Sequence, residues 1–213
     1  MAVRITIEPP LDASVRIGLL GCDLGRVEER DPALDAPLAA AEEKVRAGDV
    51  AGIDAARALY RAFGIDPTRT RPSSEALLRR VRRGEPLPRI NTAVDVCNWC
   101  SVEVQLPYGL YDAGALEPPL TLRRGGPGDG YAGIRKEAVH LAGRLALFDG
   151  RGPFGNPTSD SARTMTSVHT RAVLAVVFAP RTVSRDRMRQ ILDMTAARLA
   201  EYAEGRETDR WVS

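Results

Sequence analysis

The segment from residue 87 to residue 112 most constrains the fold, because it places an amphipathic helix between two turns. After the first turn, apolar residues recur at helical spacing and form one stripe, made of Ala93, Val94, Cys97, Cys100 and Val104. Asp95, Asn98 and Glu103 lie off this stripe, so we expect them to be free to serve a site. Residues 106–112 predict a second tight turn.

The rest of the chain changes from helical to strand-like patterns and back. The predicted helices cover residues 37–62, with an interruption near 48–52, then residues 74–83 and 184–204, and the predicted strands cover residues 3–8, 15–22, 120–123, 138–141, 144–148 and 171–178. Ser73 is expected to cap the helix that follows it, and the tail after Gly205 is expected to be frayed. This order predicts an α+β fold with a helical N-terminal part and a C-terminal amphipathic helix.

Length and composition limit the class of protein to which the chain can belong. With 213 residues, 44% of them hydrophobic, the chain can bury one core, or one core and a small lobe. It has no apolar run long enough to span a membrane and no signal-peptide pattern at its start. Three cysteines, an odd number, predict a reducing, cytoplasmic setting and not a disulfide scaffold.

Positive charge is concentrated between residues 61 and 89. This stretch has eight arginines and three acidic residues, a net charge of +5, whereas the whole chain carries +2. Such a lobe is suited to a phosphate backbone, and it is equally typical of a solvated, arginine-rich helix. The candidate contacts to such a backbone are Arg69, Arg71, Arg79, Arg80, Arg82 and Arg83.

Three short motifs have ordinary structural interpretations. Cys97 and Cys100 form a C-x-x-C, but both lie on the apolar stripe, which favours buried thiols over a metal or redox site. The glycine-rich run 123–130 lacks the helix and Lys-Ser/Thr of a phosphate loop, which favours a hairpin connection. No motif indicates a cofactor or a metal. His169, at a predicted strand start, is open to a site role or a surface role.

The loop from Asn156 to Thr170 is unusually rich in polar groups. It supplies a carboxylate, a guanidinium and many hydroxyls immediately before a buried strand. Loops of this kind on a rigid sheet often bind ligands, and they can also satisfy their own backbone through Ser, Thr and Asp turns. Composition alone leaves both interpretations open.

Several ordered blocks together resemble free-standing proteins of the B3/4 type, which are similar to the tRNA-editing domain of the phenylalanyl-tRNA synthetase beta chain. The blocks are Tyr60-Arg-Ala-Phe-Gly-Ile-Asp-Pro67, Pro72-Ser-Ser-Glu-Ala-Leu-Leu-Arg79, Leu87-Pro-Arg-Ile-Asn91, Val94-Asp-Val-Cys-Asn98, Leu106-Pro-Tyr-Gly-Leu-Tyr-Asp112 and Asp160-Ser-Ala-Arg-Thr164. The resemblance implies a B3/4-type mixed sheet core. It suggests three parts: residues 1–58 packed on the core, residues 59–180 as the editing-like domain, and residues 181–213 as helix and tail.

The resemblance also implies a function and partners. In the synthetase family this domain removes a wrong amino acid from charged tRNA, so the resemblance leads us to expect a translation quality-control factor that binds RNA and hydrolyses mischarged aminoacyl-tRNA in trans. The catalytic core of a synthetase is absent, so aminoacylation is not expected. The alternative is a non-catalytic module that binds tRNA, a free amino acid or a related metabolite. The family's substrate-recognising histidine and glutamate correspond to Gly109 and Val176, so the substrate contacts of the family do not transfer.

The site hypothesis assigns roles to residues of the polar loop. Asp160 binds the substrate ammonium or a water, and Arg163 and Thr164 donate to the carbonyl oxygen or the terminal phosphate. The residues expected to bind substrate are Asn98, Tyr108, Asp112, Asn156 and Thr170. No activated nucleophile is visible, so a positioned water is preferred to a covalent mechanism.

Overall fold

A computed structural model describes residues 3–134 and 138–213. The helices in these residues are α1 (Asp35–Ala47), α2 (Asp54–Ala62), α3 (Ser73–Arg82), α4 (Thr92–Val104) and α5 (Arg185–Ala203). The strands are β1 (Ile5–Ile7), β2 (Val15–Asp23), β3 (Tyr108–Asp112), β4 (Leu120–Arg124), β5 (Gly130–Tyr131), β6 (Val139–His140), β7 (Leu145–Asp149), β8 (Gly152–Gly155), β9 (Ala172–Pro180) and β10 (Arg206–Val212). The predicted α+β class is confirmed.

The central layer is an antiparallel sheet in the order β10-β2-β9-β3. Strands β2 and β9 pair over nine residues, from Val15 opposite Pro180 to Asp23 opposite Ala172. Both faces of β9 are buried, which explains its continuous apolar sequence. Because β3 lies at one end of the strand order, one side of its backbone has no neighbouring strand in this sheet.

One face of this sheet packs against a second sheet in the order β1-β4-β7-β8. Between the two sheets lie apolar side chains from both, joined by Leu59, Tyr60 and Phe63 of the α2 region. The other face is covered by α1, α3, α4 and α5, with α4 and α5 packed against each other. The polypeptide thus forms three layers: helices, central sheet and second sheet. The part of the chain that the structure describes contains no helix with the length and apolar character that a membrane span requires.

Three local predictions are wrong. The tail after Gly205 is not frayed, because it forms β10 and pairs with β2. Residues 106–112 are not a tight turn, because Tyr108–Asp112 form β3 and pair with β9. Ser73 does not cap α3 from outside, since the helix begins at Ser73 itself and its hydroxyl makes no hydrogen bond.

Two polar residues of α4 are not free to serve a site. Asp95 is fully buried and accepts hydrogen bonds from the Arg89 guanidinium (2.6 Å) and the Ile90 backbone N–H (2.8 Å). Glu103 pairs with Arg198 of α5 at 2.6 Å. Both therefore fix α4 to its surroundings, and Asn98 is the residue of the three that stays available.

The predicted division into residues 1–58, 59–180 and 181–213 stays a prediction. Strands β2, β9 and β10 come from its three parts and pair in one sheet.

Candidate functional site

A cavity of about 720 Å³ opens between α4, the edge strand β3 and the loop that follows Asp160. This size falls within the range of sites for small ligands. The lining residues are Glu29, Ile90, Asn91, Val94, Cys97, Asn98, Tyr108, Leu110, Ile134, Asp160, Ala162, Met165, Thr166, Ser167 and Val168. Sequence reasoning had placed Asn98, Tyr108 and Asp160 in a common site, and these three do line one cavity.

Asp160 is held against the free edge of β3. Its carboxylate accepts a hydrogen bond from the Tyr111 hydroxyl at 2.8 Å, and the backbone N–H of Leu110 also stabilises it. Burial nevertheless raises the pKa of Asp160 to about 7, because these two donors only partly replace water. None of the ion pairs among the described residues involves Asp160, so its carboxylate lies in the cavity wall without a cation.

Tyr111 reaches Asp160 through a slot between two glycines. Its ring packs edge-on against Phe154, with ring centroids 4.8 Å apart. A Cβ atom at Gly109 or at Gly155 would lie under 3.0 Å from the Tyr111 hydroxyl oxygen. Both positions must therefore lack a side chain for Tyr111 to adopt this conformation.

Asn98 has a carboxamide that is available to a ligand. Among the described residues it makes no hydrogen bond, although it lies half-buried in the cavity wall. Two other polar lining groups have protein partners: Asn91 caps α4 by accepting from the Val94 N–H (3.0 Å), and the Tyr108 hydroxyl pairs with Thr195 (3.0 Å). Asn98 can therefore donate to a ligand oxygen without losing a protein contact.

Comparison with known proteins identifies the family. A sequence profile of the B3/4 domain matches residues 55–204, which is more than half of the chain. The chain belongs to the B3/4 domain family. No curated protein matches the sequence.

The fold of this B3/4 protein is similar to a solved structure, an N-terminal fragment of the phenylalanyl-tRNA synthetase beta-subunit from Pyrococcus horikoshii. The TM-score is 0.50 and the sequence identity is 14%, so the likeness concerns the fold alone. The match covers 97% of this chain and 50% of the fragment, so the chain spans half the length of that fragment.

The two positions assigned to the family's recognition residues lie side by side. Gly109 of β3 is directly opposite Val176 of β9, and Val176 is fully buried between the sheets. The Tyr111 ring occupies the space in front of Gly109. Neither position lines the cavity, since Tyr111 and Val176 belong to the apolar cluster between the two sheets.

Arg163 and Thr164 do not line the cavity, contrary to the site hypothesis. The Arg163 guanidinium makes two hydrogen bonds to Asp149 (3.0 and 2.9 Å) and one to the Ala115 carbonyl oxygen (3.1 Å). Burial would raise the pKa of Asp149, but Arg163 and two backbone N–H groups hold it below its usual value. Thr164 is fully buried and directs its hydroxyl toward the Phe154 carbonyl oxygen at 3.4 Å. These contacts support the loop that carries Asp160.

Asp112 and Thr170 also act behind the cavity wall. The Thr170 hydroxyl donates to Asp112 (2.7 Å) and accepts from the Ser167 backbone N–H (3.0 Å). This chain of bonds ties the cavity-lining segment 165–168 to the end of β3. Asn156 accepts from the Thr158 and Ser159 backbone N–H groups and so shapes the turn before Asp160.

The predicted tRNA-contacting arginines divide into paired and exposed residues. Arg79 bonds to Glu75, while Arg80 and Arg83 pair with Glu85. The side chain of Arg69 is 90% exposed and is 3.9 Å from its nearest acidic partner. The remaining two residues of the set are Arg71, which lies 3.9 Å from Glu75, and Arg82, which is exposed and has no ion pair in the described residues.

Sequence reasoning missed Tyr111 and Glu29. A signal for Tyr111 exists, since it lies two residues beyond Gly109 on the same face of a strand that had been interpreted as a turn. Glu29 reaches the cavity from the connection after β2, and no local pattern indicates this.

Proposed function

We propose that this B3/4 protein hydrolyses the ester bond of mischarged aminoacyl-tRNA in trans. The observation that carries the proposal is Asp160, which lines a cavity of about 720 Å³ and has no cationic partner among the described residues. A buried carboxylate is stabilised by a cationic partner, and the α-ammonium of an aminoacyl ester supplies one. We assign Asp160 to that ammonium.

The reaction needs a water and a donor for the charge that develops on the carbonyl oxygen. The Asn98 carboxamide has no partner among the residues that the structure describes, so we assign its N–H group to this oxygen. Water adds to the carbonyl carbon, the bond to the ribose oxygen breaks, and the proton of the water passes to that oxygen, with the neighbouring ribose hydroxyl as relay. Arg163 and Thr164 act as positioning residues for the loop.

The tRNA backbone is assigned to the basic face of α3. The Ser73 backbone N–H at the start of α3 donates to the Pro157 carbonyl oxygen (3.2 Å), close to Asp160 in sequence. The segment after α3 leads to Ile90 and Asn91, which line the cavity. A tRNA bound along α3 would thus bring its 3′ end to the cavity mouth. The three buried free thiols suit a cytoplasmic setting for this activity.

A deacylation time course tests the proposal. Catalytic amounts of the protein would be mixed with tRNAs charged with cognate, near-cognate and non-protein amino acids. Release from one class should accelerate, and Asp160→Asn and Asn98→Ala should abolish the acceleration, whereas Asp186→Asn at an exposed position of α5 should not. A folded protein that accelerates none of the panel would rule out editing in trans.

A non-catalytic binding module is the second candidate, and one observation favours it. Arg163, Thr164 and both histidines lie outside the cavity lining, so the uncharged side-chain donors left among the described lining residues are the Asn98 carboxamide and the hydroxyls of Thr166 and Ser167. This candidate predicts that a small amine raises the melting temperature of the protein while no ester is cleaved. Thermal unfolding with and without ligand, run beside the deacylation assay, separates the two.

A further inference from the structure

The described residues that line the cavity carry a net negative charge. Glu29 and Asp160 contribute carboxylates, and no arginine, lysine or histidine stands among its described lining residues. By contrast, arginines neutralise most of the other buried acidic groups nearby, as Arg163 does for Asp149 and Arg89 for Asp95. An anionic ligand group would be repelled here, and a cation would be attracted.

Apart from the two carboxylates, apolar residues outnumber polar ones in the cavity lining. Val94, Leu110, Ile134, Met165 and Val168 are among these apolar residues. Among the described residues, the exposed large hydrophobic side chains are Ile90, Ile134 and Met165, and all three lie at this cavity. Apolar side chains left exposed around one opening indicate a ligand that covers them.

We propose that the cavity selects a primary ammonium attached to an uncharged apolar body. The proposal deepens the proposed function, on which it rests for the identity of the substrate: within aminoacyl esters, the cavity accepts neutral aliphatic side chains and rejects acidic ones. The ammonium pairs with Asp160, and the apolar body lies against Leu110, Val168 and Met165. The carboxylate of Glu29 adds to the rejection of a second negative charge at the opening.

Binding of non-hydrolysable amino alcohols tests this selection without any catalytic step. The probes are L-leucinol, N-acetyl-L-leucinol, which lacks the positive charge, ethanolamine, which lacks the apolar body, and 4-amino-5-hydroxypentanoic acid, which adds a carboxylate. Titration calorimetry at pH 8 keeps Asp160 ionised. L-leucinol should bind at least about tenfold more tightly than each of the other three, as expected for one charge-assisted hydrogen bond or one buried apolar group.

Variants connect the selection to the named residues. Asp160→Asn can still accept from Tyr111, so the protein should stay folded while the preference for L-leucinol over its N-acetyl derivative disappears. Met165→Gln at the exposed rim should weaken L-leucinol and leave ethanolamine unchanged. Equal binding of L-leucinol and N-acetyl-L-leucinol to the folded protein, or binding of neither, would overturn the inference. Preferential binding of L-leucinol without any tRNA deacylation would uphold it and refute the proposed hydrolysis instead.

Discussion

Replacing Asp160 with asparagine separates the role of this carboxyl in stability from its role in ligand binding. The residue is half-buried beside Leu110 and Tyr111 and has no cationic partner among the described residues. Its ionised form is therefore disfavoured in the folded protein. Asparagine has nearly the same shape and keeps an acceptor for the Tyr111 hydroxyl, but it never ionises.

The magnitude follows from the two pKa values of the carboxyl. The pKa of Asp160 is 3.8 as a model value for the unfolded chain and about 7 in the folded protein. Between these values the folded state keeps a proton that the unfolded state has released, so the free energy of unfolding falls as the pH rises. From pH 5 to pH 8 this group alone should lower the free energy of unfolding by about 2.5 kcal/mol.

Urea unfolding at pH 5 and pH 8 measures the effect. The wild-type protein should lose more stability over this interval than Asp160→Asn, by about 2.5 kcal/mol. Asp149→Asn is a matched control, because the pKa of Asp149 is lowered and its carboxyl is ionised in both states throughout the interval. Relative to the wild-type protein, Asp149→Asn should therefore be destabilised by the same free energy at pH 5 and at pH 8. If wild type and Asp160→Asn lose the same free energy between pH 5 and pH 8, the reasoning about Asp160 is refuted.

Three further variants test the supports of the site. Gly109→Ala should destabilise the protein by about 1–3 kcal/mol in urea unfolding, because its Cβ meets the Tyr111 hydroxyl, whereas Gly126→Ala, whose Cβ would have its nearest contact at 3.7 Å, should be nearly neutral. Thr170→Val removes the bond to the end of β3 and should lower ligand affinity about fivefold in calorimetry, with no change in the charge preference. Arg69→Gln combined with Arg82→Gln should reduce the slope of log tRNA affinity against log salt by about two, measured by filter binding; an unchanged slope would exclude both residues from the phosphate contacts.

Much of the fold could be predicted from local sequence patterns, because the buried strands and long helices have clear hydrophobic periodicities. The sequences of β2 and β9 are predominantly apolar, as expected for buried strands. In α5, apolar residues recur at helical spacing along nearly the whole helix. β10 was missed because Arg206–Val212 is polar and has an ordinary surface composition. Its hydrogen bonds to β2 come from a partner almost two hundred residues away, which no local pattern records.

The candidate site was also predicted only in part. Asn98 of α4 and the polar loop after Asn156 could be grouped because the resemblance to the B3/4 family implies one site, whereas composition alone left the role of the loop open. The role of Arg163 could not be predicted from composition, because its partner Asp149 is the last residue of β7. The sequence of β7 is that of an ordinary buried strand and does not indicate an ion pair. Once that pair forms, the guanidinium is no longer available to a ligand.

Two carboxyls eleven residues apart in sequence, the buried Asp149 and the half-buried Asp160, show why the charge of the cavity is informative. Asp149 receives Arg163 and two backbone N–H groups, whereas Asp160 receives a tyrosine hydroxyl and one backbone N–H. The chain has thirty lysines and arginines, so a shortage of cations does not explain the difference. A carboxyl left in this state lowers stability at neutral pH, and folds retain such groups mainly where a site uses them. An ammonium that enters the cavity would supply the missing partner and would therefore bind the folded protein and stabilise it in one step.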